Sequence, residues 1–215
     1  MSEARPKRKD IATEARWPAA IAIIGLGGSA LALPDDMVPG PRWLVPIVIV
    51  ALLIPTIIAH RLGRHTVDRV LGYALSVIVT LALAASLGSL LRLVGSRSAP
   101  ELLKSATVLW ITNILVFALW YWRLDAGGPH SRESRQGHTA GAFFFPQMMD
   151  SAPNVDPGWS PRFVDYLFLS FCTSTAFSPT DTPVLSRWAK LLTMVQALIS
   201  LLCVAVLASK AIGSL

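Results

Sequence analysis

Charge is what this sequence has least of. Only 15% of its 215 residues are Asp, Glu, Lys or Arg, against 53% hydrophobic residues, where an average globular chain carries about 25% charged residues. A single soluble core could not hide that much apolar surface, and the mean hydropathy of +0.54 agrees. Cysteine is also scarce. Cys172 and Cys203 both lie inside apolar stretches, where they read as small buried residues rather than a disulfide. Enzyme signatures are missing as well. There is no Gly-rich phosphate loop, His-Glu-x-x-His helix or nucleophile elbow, so an enzyme is not expected. Charged pairs inside the apolar runs, the usual mark of proton-coupled transporters, are missing too.

What remains is a set of apolar runs separated by short polar stretches, the pattern of a multi-pass integral membrane protein. The net charge of +6 resides in small basic clusters between those runs. There it acts as a topology signal rather than a nucleic-acid footprint, and no nucleic-acid partner is expected.

Residues 1–16 form a polar tail with the basic knot Arg5, Lys7, Arg8 and Lys9. Residues 17–124 hold four apolar spans. The first, Pro18 to Leu33, is short, with Trp17 at its edge and Gly25 and Ser29 spaced for close helix packing. A signal peptide is the competing reading, because Ala30-Leu31-Ala32 resembles a small-residue cleavage site. Asp10 and Glu14 ahead of it favour a retained helix. Pro34 to Arg42 is a turn-forming linker. The second span, Trp43 to Ala59, contains Pro46 and Pro55, which predict a kink. A basic loop with His60, Arg61, Arg64, His65 and Arg69 follows. The third span, Val70 to Val94, is rich in Ala, Ser and Gly. The fourth opens at Pro100-Glu101 and closes in Trp120-Tyr121-Trp122-Arg123. Asn113 and Gln196, polar residues within spans, predict interhelical hydrogen bonds.

Residues 125–159 are an extramembrane loop with no helical period. Its Phe143-Phe144-Phe145-Pro146 run is apolar enough to touch the membrane surface or dock on the protein. His60 and His65 lack carboxylate or thiol partners at ligand spacing, so no metal site or cofactor is expected.

Residues 160–215 carry the most information. Ser160-Pro161 signals a helix start for a helix running to about Cys172, which at roughly 18 Å reaches halfway through a bilayer. A hydroxyl-rich, proline-broken stretch follows. Thr182-Pro183 repeats the start signal and leads into an apolar span from Leu191 to Ser209. Irregular backbone at membrane depth survives only where protein buries it or it lines a watery cavity. The pattern therefore predicts a re-entrant helix.

The residues Asp165-Tyr166-Leu167-Phe168-Leu169-Ser170-Phe171-Cys172-Thr173-Ser174-Thr175-Ala176-Phe177-Ser178-Pro179-Thr180-Asp181 resemble the pore helix and filter of the potassium-channel superfamily. That family follows its pore helix with Thr-Thr-Val-Gly-Tyr-Gly-Asp. The chain also resembles bacterial membrane proteins that place extra helices ahead of such a module. The resemblance sets Thr173 and Ser174 at the two threonines, Phe177 at the tyrosine and Asp181 at the acid beyond the filter, with Pro183 to Ile212 as the inner helix. It implies an ion pathway through Thr173, Ser174, Thr175, Ala176, Phe177, Ser178 and Asp181, and four copies around one axis.

Carbonyls and hydroxyls converging on an axis can replace an ion's hydration shell, the pore helix aims its negative end there, and Asp181 concentrates cations at the mouth. Ala176 and Ser178 replace the family's two glycines, whose backbone freedom the carbonyl array uses. Pro179 stands where the family has Asp. Weak selectivity among monovalent cations is the expectation. A small-solute transporter with its site at the broken helix, or a non-conducting scaffold binding a partner through residues 125–159, are the alternatives.

The basic segments (the tail, the loop at Arg61, Arg64 and Arg69, and the loop with Arg123, Arg132 and Arg135) fall on one side, which the charge rule places in the cytoplasm. The re-entrant segment then enters from inside, as in glutamate receptors, whereas potassium channels enter from outside. Failure of one N-terminal segment to span would flip everything after it. The sequence thus reads as an all-α protein of a bacterial inner membrane, with about five transmembrane helices plus a re-entrant pore helix, in a lipid bilayer as a homotetramer.

Overall fold

The computed structural model describes residues 14, 16–133, 141–149, 159–175 and 182–212. The chain folds as α1 (Trp17–Ala32), α2 (Leu44–Arg61), α3 (His65–Leu93), α4 (Ala99–Leu124), a short α5 (Pro129–Glu133), α6 (Phe163–Thr175) and α7 (Arg187–Ile212). Three 3-10 turns, Asp35–Met37, Asp125–Gly127 and Pro146–Met148, join them. The described residues form no strand, only an isolated bridge between Phe143 and Val184.

Four helices (α2, α3, α4 and α7) are long and apolar enough to cross a membrane, and α1 is a shorter apolar helix. Their outward faces are studded with large apolar side chains such as Ile47, Ile54, Leu81, Leu198 and Leu201. A water-soluble chain buries such faces, whereas a lipid-facing one exposes them.

Helix α4 is the axis of the molecule. It packs against α1, α3, α6 and α7, while α2 covers α1 and α3. A helix apolar on every side seeks full burial, and α4 buries Leu102, Ala106, Leu109, Phe117 and Leu119 around its circumference. The indole of Trp120 donates to the Thr80 hydroxyl at 2.8 Å, tying α4 to α3. Asn113, on the same helix, makes the expected interhelical bond, from Nδ2 to the Gln196 carbonyl at 3.2 Å.

Ion pairs mark the two ends. At one, Arg16 meets Asp68 at 2.8 Å and Glu14 lies 3.6 Å from Arg132. The start of α1, the end of α2, the start of α3 and the end of α4 gather there, and we call it the basic end. At the other, Arg97 pairs with Asp36 and Arg42 with Asp35.

Some boundaries differ from the sequence reading. Helix α3 begins at His65, because the charged residues through Arg69 extend the helix by a turn beyond its apolar run. Pro46 falls in the first turn of α2 and only Pro55 is interior; a first-turn proline forfeits no helical hydrogen bond. Thr182-Pro183 does not open α7, which starts at Arg187. Pro183 instead accepts a hydrogen bond from the Phe144 amide, and the Leu185 amide donates to the Ala142 carbonyl. Backbone pairing with the loop therefore displaces the helix start. The Ala189 amide donates to the Ser186 hydroxyl, which does the capping.

The aromatic run of the loop docks on the protein. Phe143 and Phe145 are buried, and Phe143 packs edge-on against Tyr121, Tyr166 and Trp188.

Candidate functional site at the α6–α7 break

Both helices flanking the break start at the basic end. The Phe163 amide, first in α6, donates to Glu14 Oε1 at 2.7 Å. The segment before α7 is held there by Phe144 and Ala142, and the Ala142 amide bonds the buried Asp125 carboxylate. The far end of α6 lies deep. Trp110 Nε1 donates to the Ser174 carbonyl at 3.3 Å. Trp110 precedes the end of α4 by fourteen residues, or about 21 Å at helical rise. The thirteen residues of α6 span about 20 Å, the same depth.

Facing polar pairs seal this depth. Ser170 and Ser174 on α6 look across at Gln196 and Ser200 on α7, each pair one helical turn apart. Gln196 Nε2 lies 2.7 Å from the Ser170 carbonyl, the Ser170 hydroxyl and the Ser174 hydroxyl. Gln196 Oε1 accepts from the Tyr121 hydroxyl. Ser170 Oγ donates to the Ile114 carbonyl at 2.7 Å. Ser200 Oγ donates to the Ser174 carbonyl and accepts from Trp110 Nε1 at 3.0 Å. All of these serines, with Gln196 and Asn113, are buried. In lipid an unsatisfied polar group has no water to turn to, so the seam answers most of its own donors and acceptors.

The residues singled out from the sequence divide in two. Thr173, Ser174 and Thr175 form the last turn of α6. Thr173 Oγ1 donates back to the Leu169 carbonyl at 2.9 Å and Thr175 Oγ1 to Cys172 at 3.1 Å, the local bonding such hydroxyls make inside helices. Ala176, Phe177, Ser178 and Asp181 lie outside the described residues. Asp165 sits in the first turn of α6 and accepts from the Arg162 amide at 2.7 Å, a helix-start role. Cys172 and Cys203 are both buried, as expected of small residues in apolar stretches. Trp110 and Ser200 were not singled out, and Tyr121 only as part of the aromatic run that closes the fourth span. The signal for Ser200 was its i,i+4 spacing from Gln196 on α7, matching that of Ser170 and Ser174 on α6, whereas Trp110 and Tyr121, on α4, carried no such signal.

The basic end supports the break from above. Arg132 Nη1 donates to the Trp122 and Asp125 carbonyls, both at 2.9 Å, and its guanidinium lies 5.0 Å from the Tyr166 ring centroid. Tyr166 in turn donates to Asp125 Oδ2 at 2.6 Å. Glu14 accepts from Trp122 Nε1 at 2.8 Å. Burial raises the Glu14 carboxyl above its ordinary pKa, while Arg132, Trp122 and the Phe163 amide pull it back. Among the described residues no group of three His, Cys, Asp or Glu is placed to hold a metal ion.

No known protein family, curated protein or solved structure matches the chain.

Proposed function

We propose that the chain is an ion-channel-like membrane protein that passes monovalent cations passively through a homotetrameric pore. In this reading α1 to α4 and α7 cross the membrane, α6 is a re-entrant pore helix, and residues 173–178 supply the filter, with Asp181 beyond it. The observation that carries it is the shared origin of α6 and α7 at the basic end, combined with the stop of α6 beside Trp110. With a helix that enters and a helix that crosses, both from one side, the reading takes the chain between them back through the membrane interior. The negative end of α6 then points at the level where a cation needs help. The positive-inside rule sets the basic end, with Arg61, Arg64 and Arg69, in the cytoplasm.

The test is cation flux into proteoliposomes of the purified protein, with its oligomeric state measured in parallel. The reading expects passive flux from a tetramer, lost on Phe177→Ala. A monomer, or wild-type protein without flux, contradicts it.

A non-conducting scaffold is the second reading. The hydroxyls and carbonyls of Ser170 and Ser174 favour it, since they spend their hydrogen bonds inside one chain rather than toward an axis. Flux from the wild type excludes it.

A further inference from the structure

At the basic end a cavity of about 360 Å³ opens between α1, the last turns of α2, the first turns of α3, the end of α4 and residues 127–130. Ligand sites commonly run from about 300 to 1,000 Å³. Its two sides differ in chemistry. One is apolar, built from Trp17, Ile23, Leu53 and Ile57. Ile57 is itself 41% exposed on the outside of α2, so the apolar wall reaches the surface that lipid would cover. The other side is cationic, with Arg16, Arg61, Arg69 and Arg123 and the single carboxylate Asp68.

That carboxylate is already taken, by Arg16 at 2.8 Å. Among the described residues Arg61, Arg69 and Arg123 have no carboxylate within ion-pair distance. Arg123 is the informative one. It is only 8% exposed, and its Nε has no hydrogen-bond partner among the described residues. The Trp122 ring lies 5.4 Å from its guanidinium carbon. Helix α3 leaves room for it, because a methyl at Gly72 would come within 1.7 Å of Arg123 Nη1. Asp68, paired with Arg16, reaches Arg123 only from beyond ion-pair distance. A buried cation with no direct ion pair is costly, and an ionisable residue within a membrane helix is by default a functional group.

The chemistry that completes this site is an anion with an apolar tail. A guanidinium fork matches phosphate oxygens in pairs, and basic pockets between membrane helices on the cytoplasmic side suit anionic headgroups. A free anion would leave the Ile23, Leu53 and Ile57 wall unused. We propose that the cavity binds one anionic phospholipid, its phosphate on Arg123 with Arg61 and Arg69 at the mouth and its upper acyl chain along Ile23 and Ile57. The site stands independently of ion conduction and needs only that the chain resides in a bilayer.

The experiment is native mass spectrometry of the full-length protein, offered phosphatidylglycerol, phosphatidylcholine of the same chains, or inorganic phosphate alone. The expected result is one phosphatidylglycerol retained per chain, phosphatidylcholine released, and phosphate alone neither retained nor displacing the lipid. Arg123→Gln is expected to weaken retention about tenfold, the loss of one charge-assisted hydrogen-bond set. Should that variant fold poorly, two surface changes carry the test. The double variant Arg61→Gln, Arg69→Gln removes the mouth charges, and Ile57→Trp blocks the chain slot. Both are expected to lower phosphatidylglycerol retention. Equal retention of the two lipids, binding of phosphate alone, or full retention by both surface variants would overturn the proposal.

Discussion

The side-chain amide of Gln196 lies 2.7 Å from both the carbonyl and the hydroxyl of Ser170, joining α7 to α6 in the buried interior. The same nitrogen reaches Ser174, and the oxygen accepts from Tyr121. Gln196→Leu keeps a branched side chain one atom shorter and removes every one of these contacts. Interhelical hydrogen bonds in membranes contribute about 0.6 kcal/mol on average and at most about 1.7, so loss of the set is expected to cost about 2 kcal/mol. Unfolding in mixed detergent would measure it. An unchanged stability would mean that the seam does not hold α6.

Two glycines of α3 should respond oppositely to alanine. At Gly72 the added carbon meets the Arg123 guanidinium, whereas at Gly88 it meets nothing within 4 Å. Gly72→Ala is expected to destabilise by about 1–3 kcal/mol through overpacking. Gly88→Ala is expected to be neutral or mildly stabilising, since glycine is a poor helix former. Thermal unfolding of the two variants side by side checks this.

Stability should carry a pH signature from Glu14. Burial holds its carboxyl above the ordinary value of 4.5, so the folded state binds this proton more readily than the unfolded one. Between the two pKa values the folded chain carries more protons, and stability falls as pH rises through that window. Relative to Glu14→Gln, the wild type is expected to lose stability as pH climbs upward from about 4.5 and to level off once the folded carboxyl has ionised. The difference in unfolding midpoint across that range is the measurement. A difference that stays flat or rises contradicts it.

Docking of the loop separates neighbouring phenylalanines. Phe143 is fully buried against Tyr121, Tyr166 and Trp188, while Phe144 is only partly buried. Phe143→Ala is expected to cost about 3–5 kcal/mol and to loosen the start of α7. Phe144→Ala should cost far less. Limited proteolysis between residues 141 and 186 reports the loosening.

The helices were legible in the sequence because lipid demands long apolar runs, and Pro100 with Glu101 announced α4 directly. Asn113 and Gln196 declared themselves as polar residues in apolar surroundings, and their pairing follows from that. Helix starts were less legible. Thr182-Pro183 and Ser186-Arg187 both offer a capping hydroxyl, and the choice between them rests on backbone pairing with residues 142–144, forty residues away in sequence. The Arg123 site was hidden for the same reason. Its room comes from Gly72, fifty-one positions earlier, and α3 has several glycines and alanines that look alike without the packing. The carboxylate of Asp125 and the guanidinium of Arg132 read as loop charges, yet each is buried because Tyr166 and the end of α4 supply partners.

The direct test of the re-entrant segment is the sidedness of its two ends. Arg162 and Arg187 are exposed and flank α6 and the break. Each is replaced by cysteine, one at a time, in a background with Cys172→Ala and Cys203→Ala, and labelled with an impermeant maleimide in oriented vesicles. Arg64→Cys and Arg42→Cys serve as references for the two ends of the molecule. Labelling of positions 162 and 187 from the side of position 64 is the predicted result. Labelling of 162 and 187 from opposite sides would mean that α6 and the chain after it cross the membrane, and the pore reading would be wrong.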